Sequence, residues 1–596
     1  MVIQKNDGRK DVMSSAAFAP QRPMVQRALM LDLLDQIQRL FDEFREHQLR
    51  YTKKHTTIFK RDPKSVPDDQ SSKEAGEVEP RIRQWMARVF EELPATTKEG
   101  WNRLRWASWD MGELENLIQQ FGSLNDTMRG LLDSKIQQQI ADTTQDTYRV
   151  VVQMATSVDQ LMRFVNATQA GVQNPDLARY QELAKFKAFQ SLIQDDIALE
   201  SVDDKTLRVL ASDGESVRRD LRIDESLVEV CPDGASNQYH WSAPYRSRGV
   251  YQVSSKISRD IWIEWRSYRK YLKRSATDED GPPEAVVDSV KKLAQLLNHK
   301  DNPTEFRVPR CLGYFQDKKH GRFGFVFKPT EGNAMKALPR TLLQLIQDTV
   351  DGKMKKPSVT HRIELGKALT SSLLYLHTAD WLHKALRSDN VLFLDKAANG
   401  QPDLTRPTLS GFEVARPMIN TTDTQKPEAD IEIRMYRHPE SLHDEDRPDK
   451  PYCKTFDIYS LGVVLVEIAL WKPIDKVLTH FDEEKLYASH PRLKELPDDD
   501  SEKIKARKDG VFDKTYATSR PTQQKKIKEK LLRDAAITAV EAELGQVYRT
   551  VVKCCLTGRD ELGLQDGDNE AEASVGAKLG EAYYKKVVSM LQEIRI

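Results

Sequence analysis

Cysteine is scarce in this 596-residue chain: Cys231, Cys311, Cys453, Cys554 and Cys555 are the only five, and no CxxC pair occurs. So few thiols, odd in number, exclude a disulfide scaffold and point to a reducing compartment, expected to be the cytoplasm. Net charge is also missing, with 91 Lys and Arg against 91 Asp and Glu. No global field therefore draws the protein to nucleic acid, and none is expected as a partner. Nowhere does an apolar run approach the roughly 18–20 residues that a bilayer-spanning helix needs. The opening MVIQKNDGRKDVMSSAAFAP has basic residues but no apolar core, so a secretory signal is not expected. No HExxH, paired-cysteine spacing or GxSxG elbow appears, which leaves no basis for a metal site or a hydrolase.

What is present is a soluble mixture, 39% hydrophobic and 31% charged, long enough for about three to five packing units. Two regimes meet near residue 205. Residues 1–24 are expected to be disordered. From Leu29 to about Ile193 apolar residues recur at spacings of three and four, as in Leu31, Leu34, Ile37, Leu40, Phe41 and Phe44. One-sided helices must bury their stripes against one another, so residues 25–204 are expected to form an all-α helical bundle. A polar, Pro-containing break at residues 60–80 reads as a loop within it. After 205, β-like runs appear at Leu227–Cys231, Gly249–Val253, Ile261–Trp265 and Phe323–Phe327, and beyond Thr341 the pattern is mostly helical. A small α+β lobe over 205–335 and a helical lobe with charged insertions over 336–596 are expected.

The most informative stretch is HRIELGKALTSSLLYLHTADWLHKALRSDNVLFL, starting at His361. It is followed by LSGFEVAR (409–416), MYRHPES (435–441) and KTFDIYSLGVVLVEIALWKP (454–473). In this order and spacing the segments resemble the protein kinase family, which implies a two-lobed α+β fold with a nucleotide cleft. By that resemblance His383 matches the His of the H-R-D loop and Asn390 its Asn. Pro439 and Glu440 match the A-P-E element, and Asp457 the structural Asp of the core helix that follows.

The departures bear on chemistry. Phosphoryl transfer needs one carboxylate to accept the hydroxyl proton and another to hold Mg²⁺ on the phosphates. Ala385 stands where the family has its catalytic Asp, and Asp389 is no substitute because it immediately precedes Asn390. The D-F-G triplet aligns with Gly411, Phe412 and Glu413, so the metal-binding Asp is a glycine while Phe412 keeps a packing role. Arg387 replaces the loop Lys, still cationic but differently shaped. No glycine-rich loop precedes the first strands. Arg266 in IWIEWRSY is the candidate for the phosphate-binding cation, with an exposed edge-strand Arg as the equal alternative. Lys328 and Glu331 follow the central strand into the hinge and, with Arg266 and Asn390, would line the cleft. The resemblance thus implies a pseudokinase without a metal, with ATP as the candidate ligand of its cleft and no metal requirement.

In the first half, EGWNRLRWASWDMGELENLIQQFGSLNDTMRGLL (99–132) carries Trp101, Trp106 and Trp109, and LLDQIQRLFDEFREHQLRYTKK precedes it. Together they resemble the fungal HeLo domain, the prion-inhibition-and-propagation family. The resemblance implies a helical bundle in heterokaryon incompatibility or regulated cell death, often joined to a kinase-like domain. Membrane insertion in that family uses an apolar N-terminal helix, whereas this chain starts with charge. The basic cluster Arg45, Arg50, Lys53, Lys54, Lys60 and Arg61 reads as a solvated helix end, with anionic lipid as the other reading. Asn420–Thr424 falls where an activation loop would accept phosphate.

Three functional readings follow: a non-catalytic signalling protein whose pseudokinase regulates the bundle, a divergent serine/threonine kinase relying on Glu413 or another carboxylate, and a ligand-free scaffold. Protein partners are expected, with self-association through the bundle.

Overall fold

The structure, a computed structural model, describes residues 147–168, 175–194, 202, 204–210, 220–231, 246–268, 281–299, 302–329, 338–395, 401–412, 416–417, 434–441, 451–511 and 521–595. Most of the expected bundle lies outside these residues, and so do the tryptophan segment, the basic cluster, Glu331, Glu413 and Asn420–Thr424. Packing divides the chain into two compact units. One comprises Met1–Val151 and Met162–Gln181, the other Val152–Leu161 and Glu182–Ile596. The second unit thus takes in residues on both sides of the boundary expected at 204/205.

In the first unit the described residues are helical. They fall on residues 147–151 and on parts of two helices, α1 (Val158–Thr168) and α2 (Pro175–Gln194). Tyr148 meets Phe164 edge-on at 6.1 Å and Tyr180 at 6.3 Å. Gln181 Nε2 donates to Val165 O (3.2 Å) and Thr168 Oγ1 (2.9 Å), which satisfies the end of α1.

In the second unit, helical segments over 152–161, 182–194 and 204–210 precede an antiparallel sheet. Its strands β1 (Val228–Val230), β2 (Arg246–Ser254), β3 (Ile257–Ser267), β4 (Cys311–Asp317) and β5 (Arg322–Phe327) lie in the order β1-β2-β3-β5-β4. The period of two divides β3 cleanly. Ile261, Ile263 and Trp265 join Ile223, Val228, Phe315 and Val326 in one core. Trp262, Glu264 and Arg266 alternate with them along β3, and Trp262 stacks on Phe327 at 4.5 Å. Helix α3 (Glu284–Asn298) connects β3 to β4 and buries Val286, Val290, Leu293 and Leu297.

The helical part follows. After short β6 (Arg340–Thr341), helix α4 (Leu342–Val350) starts with a capping box in which Thr341 and Gln344 satisfy each other's backbone amides. Helix α5 (Val359–Thr378) leads into short β7 (Trp381–Leu382), then β8 (Val391–Phe393), which pairs with β9 (Thr408–Leu409). At the centre runs α6 (Lys454–Leu470), buried at every position from Lys454 to Ala469. A helix apolar all round belongs in a core. It is walled by α5, by α7 (Ile474–Ser489) and by α8 (Asp534–Thr557), with α9 (Ala573–Tyr583) closing the chain's C-terminal end against α5.

Candidate functional site

The site is built around the loop between β7 and β8. Asp457, in the first turn of α6, is completely buried. Its Oδ2 accepts the amide of His383 (2.8 Å) and Nε2 of His377 (3.2 Å). Its Oδ1 accepts the amide of Lys384 (2.8 Å) and the Tyr452 hydroxyl (2.9 Å). Burial alone would raise this carboxyl, but the hydrogen bonds from His377 and from the His383 amide hold it below its usual range. The helix N-terminus also favours the negative form. One function of this carboxylate is geometric: Lys384 has a φ of 65°, a left-handed conformation that costs a non-glycine residue about 1–2 kcal/mol. Asp457 fastens the two amides that lead into that turn, those of His383 and Lys384.

His383 lies under Phe412, ring centroids 4.5 Å apart, and Phe412 in turn faces Trp381 at 5.1 Å. Burial pushes the His383 imidazole down to about 4, so it is neutral at physiological pH. Ala385 is buried and presents a methyl group. Its carbonyl accepts Asn390 Nδ2 (2.8 Å). Arg387 is spent locally, its Nε 2.6 Å from Asp389 Oδ1.

Facing this loop is a pair that sequence reasoning missed. Arg246 and Glu264 sit opposite each other on β2 and β3. Arg246 Nε donates to Glu264 Oε1 (2.8 Å), Nη1 to Asp389 O (2.8 Å), and Nη2 to both Asn390 Oδ1 (2.6 Å) and Ser410 Oγ (2.8 Å). Glu264 also accepts the Ser410 hydroxyl and, through Oε2, the Gly411 amide (3.2 Å). Only 4% of the Glu264 side chain and 11% of Arg246 is exposed. A single buried network therefore ties the sheet to both degenerate motifs. Gly411 has a φ of 84°, and a Cβ on it would overlap the side-chain amide of Asn390.

Of the residues expected to line the cleft, Asn390 joins this network. Arg266 does not face it as expected: it is buried and its Nη1 reaches Ser289 Oγ on α3 at 3.3 Å. The reason is position along the strand, since Glu264 lies two residues closer to the loop on the same face of β3. Lys328 is half-buried just past β5, where its amide donates to Arg310 O (3.3 Å). Glu331 and Glu413 lie outside the described residues.

The expected structural pair, Pro439 and Glu440, shares one 3₁₀ turn, which Pro439 begins, and Glu440 is exposed. The buried carboxylate at this end is Glu467 of α6, which accepts Tyr436 OH (2.8 Å) and the Ile474 amide (2.8 Å). Tyr436 OH lies 2.9 Å from Ser388 Oγ, so Glu467 reaches the loop through two hydroxyls. Burial pushes the Glu467 carboxyl up to about 8. Its folded value lies above the unfolded one, so its contribution is complete at low pH and is lost as pH rises through 8. Stability should therefore fall from about pH 5 to pH 8 at up to about 1.4 kcal/mol per pH unit from this group. Glu467→Gln, neutral and of the same shape, should flatten that fall in denaturant titrations across the range. An unchanged slope would mean that Glu467 is ionised in the fold.

Missing from the sequence reading were Arg246, Glu264, Ser410 and Glu467. Two carried a signal: Glu264 interrupts the apolar run IWIEW, and Glu467 the run VVLVEIAL. A carboxylate inside such a run must find buried partners.

Comparison with known proteins gives two family matches. Residues 4–164 match the family described as prion-inhibition and propagation, HeLo, and residues 315–594 match a domain of unknown function, DUF7580. The HeLo match covers the N-terminal part of the chain, and a C-terminal α+β region follows it. No helix among the described residues is long and apolar enough to cross a membrane.

Proposed function

We propose that this protein is a non-catalytic signalling switch. Its C-terminal unit is a kinase-like body whose nucleotide cleft is closed by its own side chains, and it governs the HeLo domain. HeLo domains are associated with fungal incompatibility and cell-death signalling, which is the pathway we assign. The kinase-like reading is supported by a five-stranded sheet in the order β1-β2-β3-β5-β4, with a helix between β3 and β4 and a helical lobe after it. It is also supported by the way Asp457 holds the amides of His383 and Lys384.

The observation that carries the non-catalytic reading is Glu264. A nucleotide cleft needs positive charge and free amides for phosphate. Here a buried carboxylate occupies the Gly411 amide and neutralises Arg246. Phosphate entering there would meet a like charge in a low-dielectric site. With Ala385 and Gly411 in place of carboxylates, neither a proton acceptor nor a metal ligand stands at those two positions. The protein then acts by holding partners, including further copies through the HeLo domain. All five cysteines are free thiols, in keeping with action inside the cell.

A thermal-shift titration of the full chain with ATP, with and without Mg²⁺, tests this. A ligand at 100 times its Kd would stabilise by about 2.7 kcal/mol. The expected result is no change in Tm under either condition. A Mg²⁺-dependent rise would overturn the closed cleft and return the protein to the kinases.

A further inference from the structure

The chain crosses between the two packing units at 151/152, 161/162 and 181/182. Two of its segments, residues 152–161 and the part of α2 from Glu182 onward, are built into the C-terminal unit. The second of these is embedded: Phe186, Lys187, Ala188, Phe189 and Gln190 are consecutive and all buried. Such a stretch is unusual in holding a lysine at its centre, because a buried ammonium must find acceptors for all three protons.

Lys187 finds them on two other parts of the chain. Its Nζ donates to Val152 O (3.0 Å) and Gln153 O (2.9 Å), and pairs with Asp380 Oδ2 (2.7 Å). Asp380 in turn holds Lys454 Nζ at 2.6 Å, at the start of α6. One cation therefore joins segment 152–161, α2 and the turn between α5 and β7, just before the degenerate loop. The apolar side of α2 lands on the same stretch. Phe186 stacks on Trp381 at 5.4 Å with ring planes 29° apart, and meets Phe306 edge-on at 4.8 Å. Trp381 also meets Phe412, at 5.1 Å. Asp380 itself has a left-handed φ of 56°, so the step from Asp380 to Trp381 is held in its conformation by what surrounds it.

We propose that Lys187 is a latch fastening both connecting segments to the C-terminal unit, and that displacement of the Asp380–Trp381 step releases them together. The contiguous rings Phe186, Trp381 and Phe412 give that step a neighbour in the degenerate motif. A rearrangement of Phe412 would remove one wall of Trp381, and a moved Trp381 would carry Asp380 away from Lys187. The proposal deepens the switch reading by naming its moving part. It is tested by backbone exchange rather than nucleotide response, so either can fail without the other.

The test is hydrogen–deuterium exchange of the full chain, comparing wild type with Lys187→Met, which keeps the aliphatic stem and removes the charge. Peptides covering 152–161 and 182–193 should both exchange at least about tenfold faster, while a peptide from α6 keeps its protection. Trp381→Leu should release the same two segments although Lys187 is present. Unchanged protection in either segment, or equal acceleration in α6, would overturn the latch. Should a variant fail to fold, wild type in sub-denaturing urea gives the same reading. The two segments must then open together, below the free energy of global unfolding, and separate or purely global opening overturns the proposal.

Discussion

Restoring both missing carboxylates should not restore a kinase. The double variant Ala385→Asp, Gly411→Asp is expected to transfer no phosphate from ATP to protein or peptide acceptors above the wild-type background. Gly411→Asp alone is expected to lose about 3–5 kcal/mol of stability. Two costs combine at this residue. Its φ of 84° is a conformation that a side chain resists, and a Cβ would overlap the Asn390 amide. Asn390 cannot easily step aside, because it is held by Ala385 O on one side and Arg246 on the other. Gly411→Ala is the informative control, since it adds the Cβ without charge and should already show most of the loss. Urea denaturation and a radiolabelled phosphate assay read the two outcomes. Phosphate transfer by the double variant would show that the Arg246–Glu264 pair can open and that only the two carboxylates were missing.

The second large effect is expected at Asp457. Asp457→Ala strands two buried amides, a tyrosine hydroxyl and a histidine, and should cost about 3–5 kcal/mol. Asn is a poor rescue. Each carboxylate oxygen accepts two donors, so whichever way an amide turns, its NH₂ confronts a backbone N–H. The pH dependence has a definite sign. The folded carboxyl titrates below its usual value, so its contribution is present above about pH 4 and is lost as pH falls through the folded value. Asp457→Asn should therefore shed part of the acid-side loss of stability along with the stability itself. An acid limb identical to wild type would assign that loss to other groups, among them Asp380, whose carboxyl burial would raise but Lys187 and Lys454 hold down at about 2.

Much of the C-terminal architecture was legible because its periodicities are strong. The run LGVVLVEIAL can only be a core element, and four of the five strands of the small sheet were anticipated from β-like runs. The strand Cys311–Asp317 was not, because CLGYFQD mixes a glycine and polar ends with few alternating positions. The site was legible at the level of motifs and less so at the level of contacts. Alternation puts Glu264 and Arg266 on the same face of β3 and cannot say which one meets the loop. That choice follows from hairpin register, which sets Arg246 opposite Glu264. Likewise, the Pro439–Glu440 pair drew attention by its sequence, whereas the buried partner of this region is Glu467, reached through Tyr436. Such pairings join residues tens to hundreds of positions apart, and no local pattern encodes them.

The interleaving of the two units bears on how such a protein can be assembled from parts. Family resemblance would divide the chain after residue 164, the end of the HeLo match. Packing gives residues 152–161 to the C-terminal unit, where Gln153 Nε2 donates to Gly576 O at 2.6 Å. A gene fusion that exchanged one HeLo domain for another at residue 164 would also exchange part of its neighbour's wall. It would have to resupply the two carbonyls that seat Lys187 and the amide that reaches Gly576. Residues 152–161 would therefore have to be kept with the C-terminal unit, upstream of the boundary that the family match suggests.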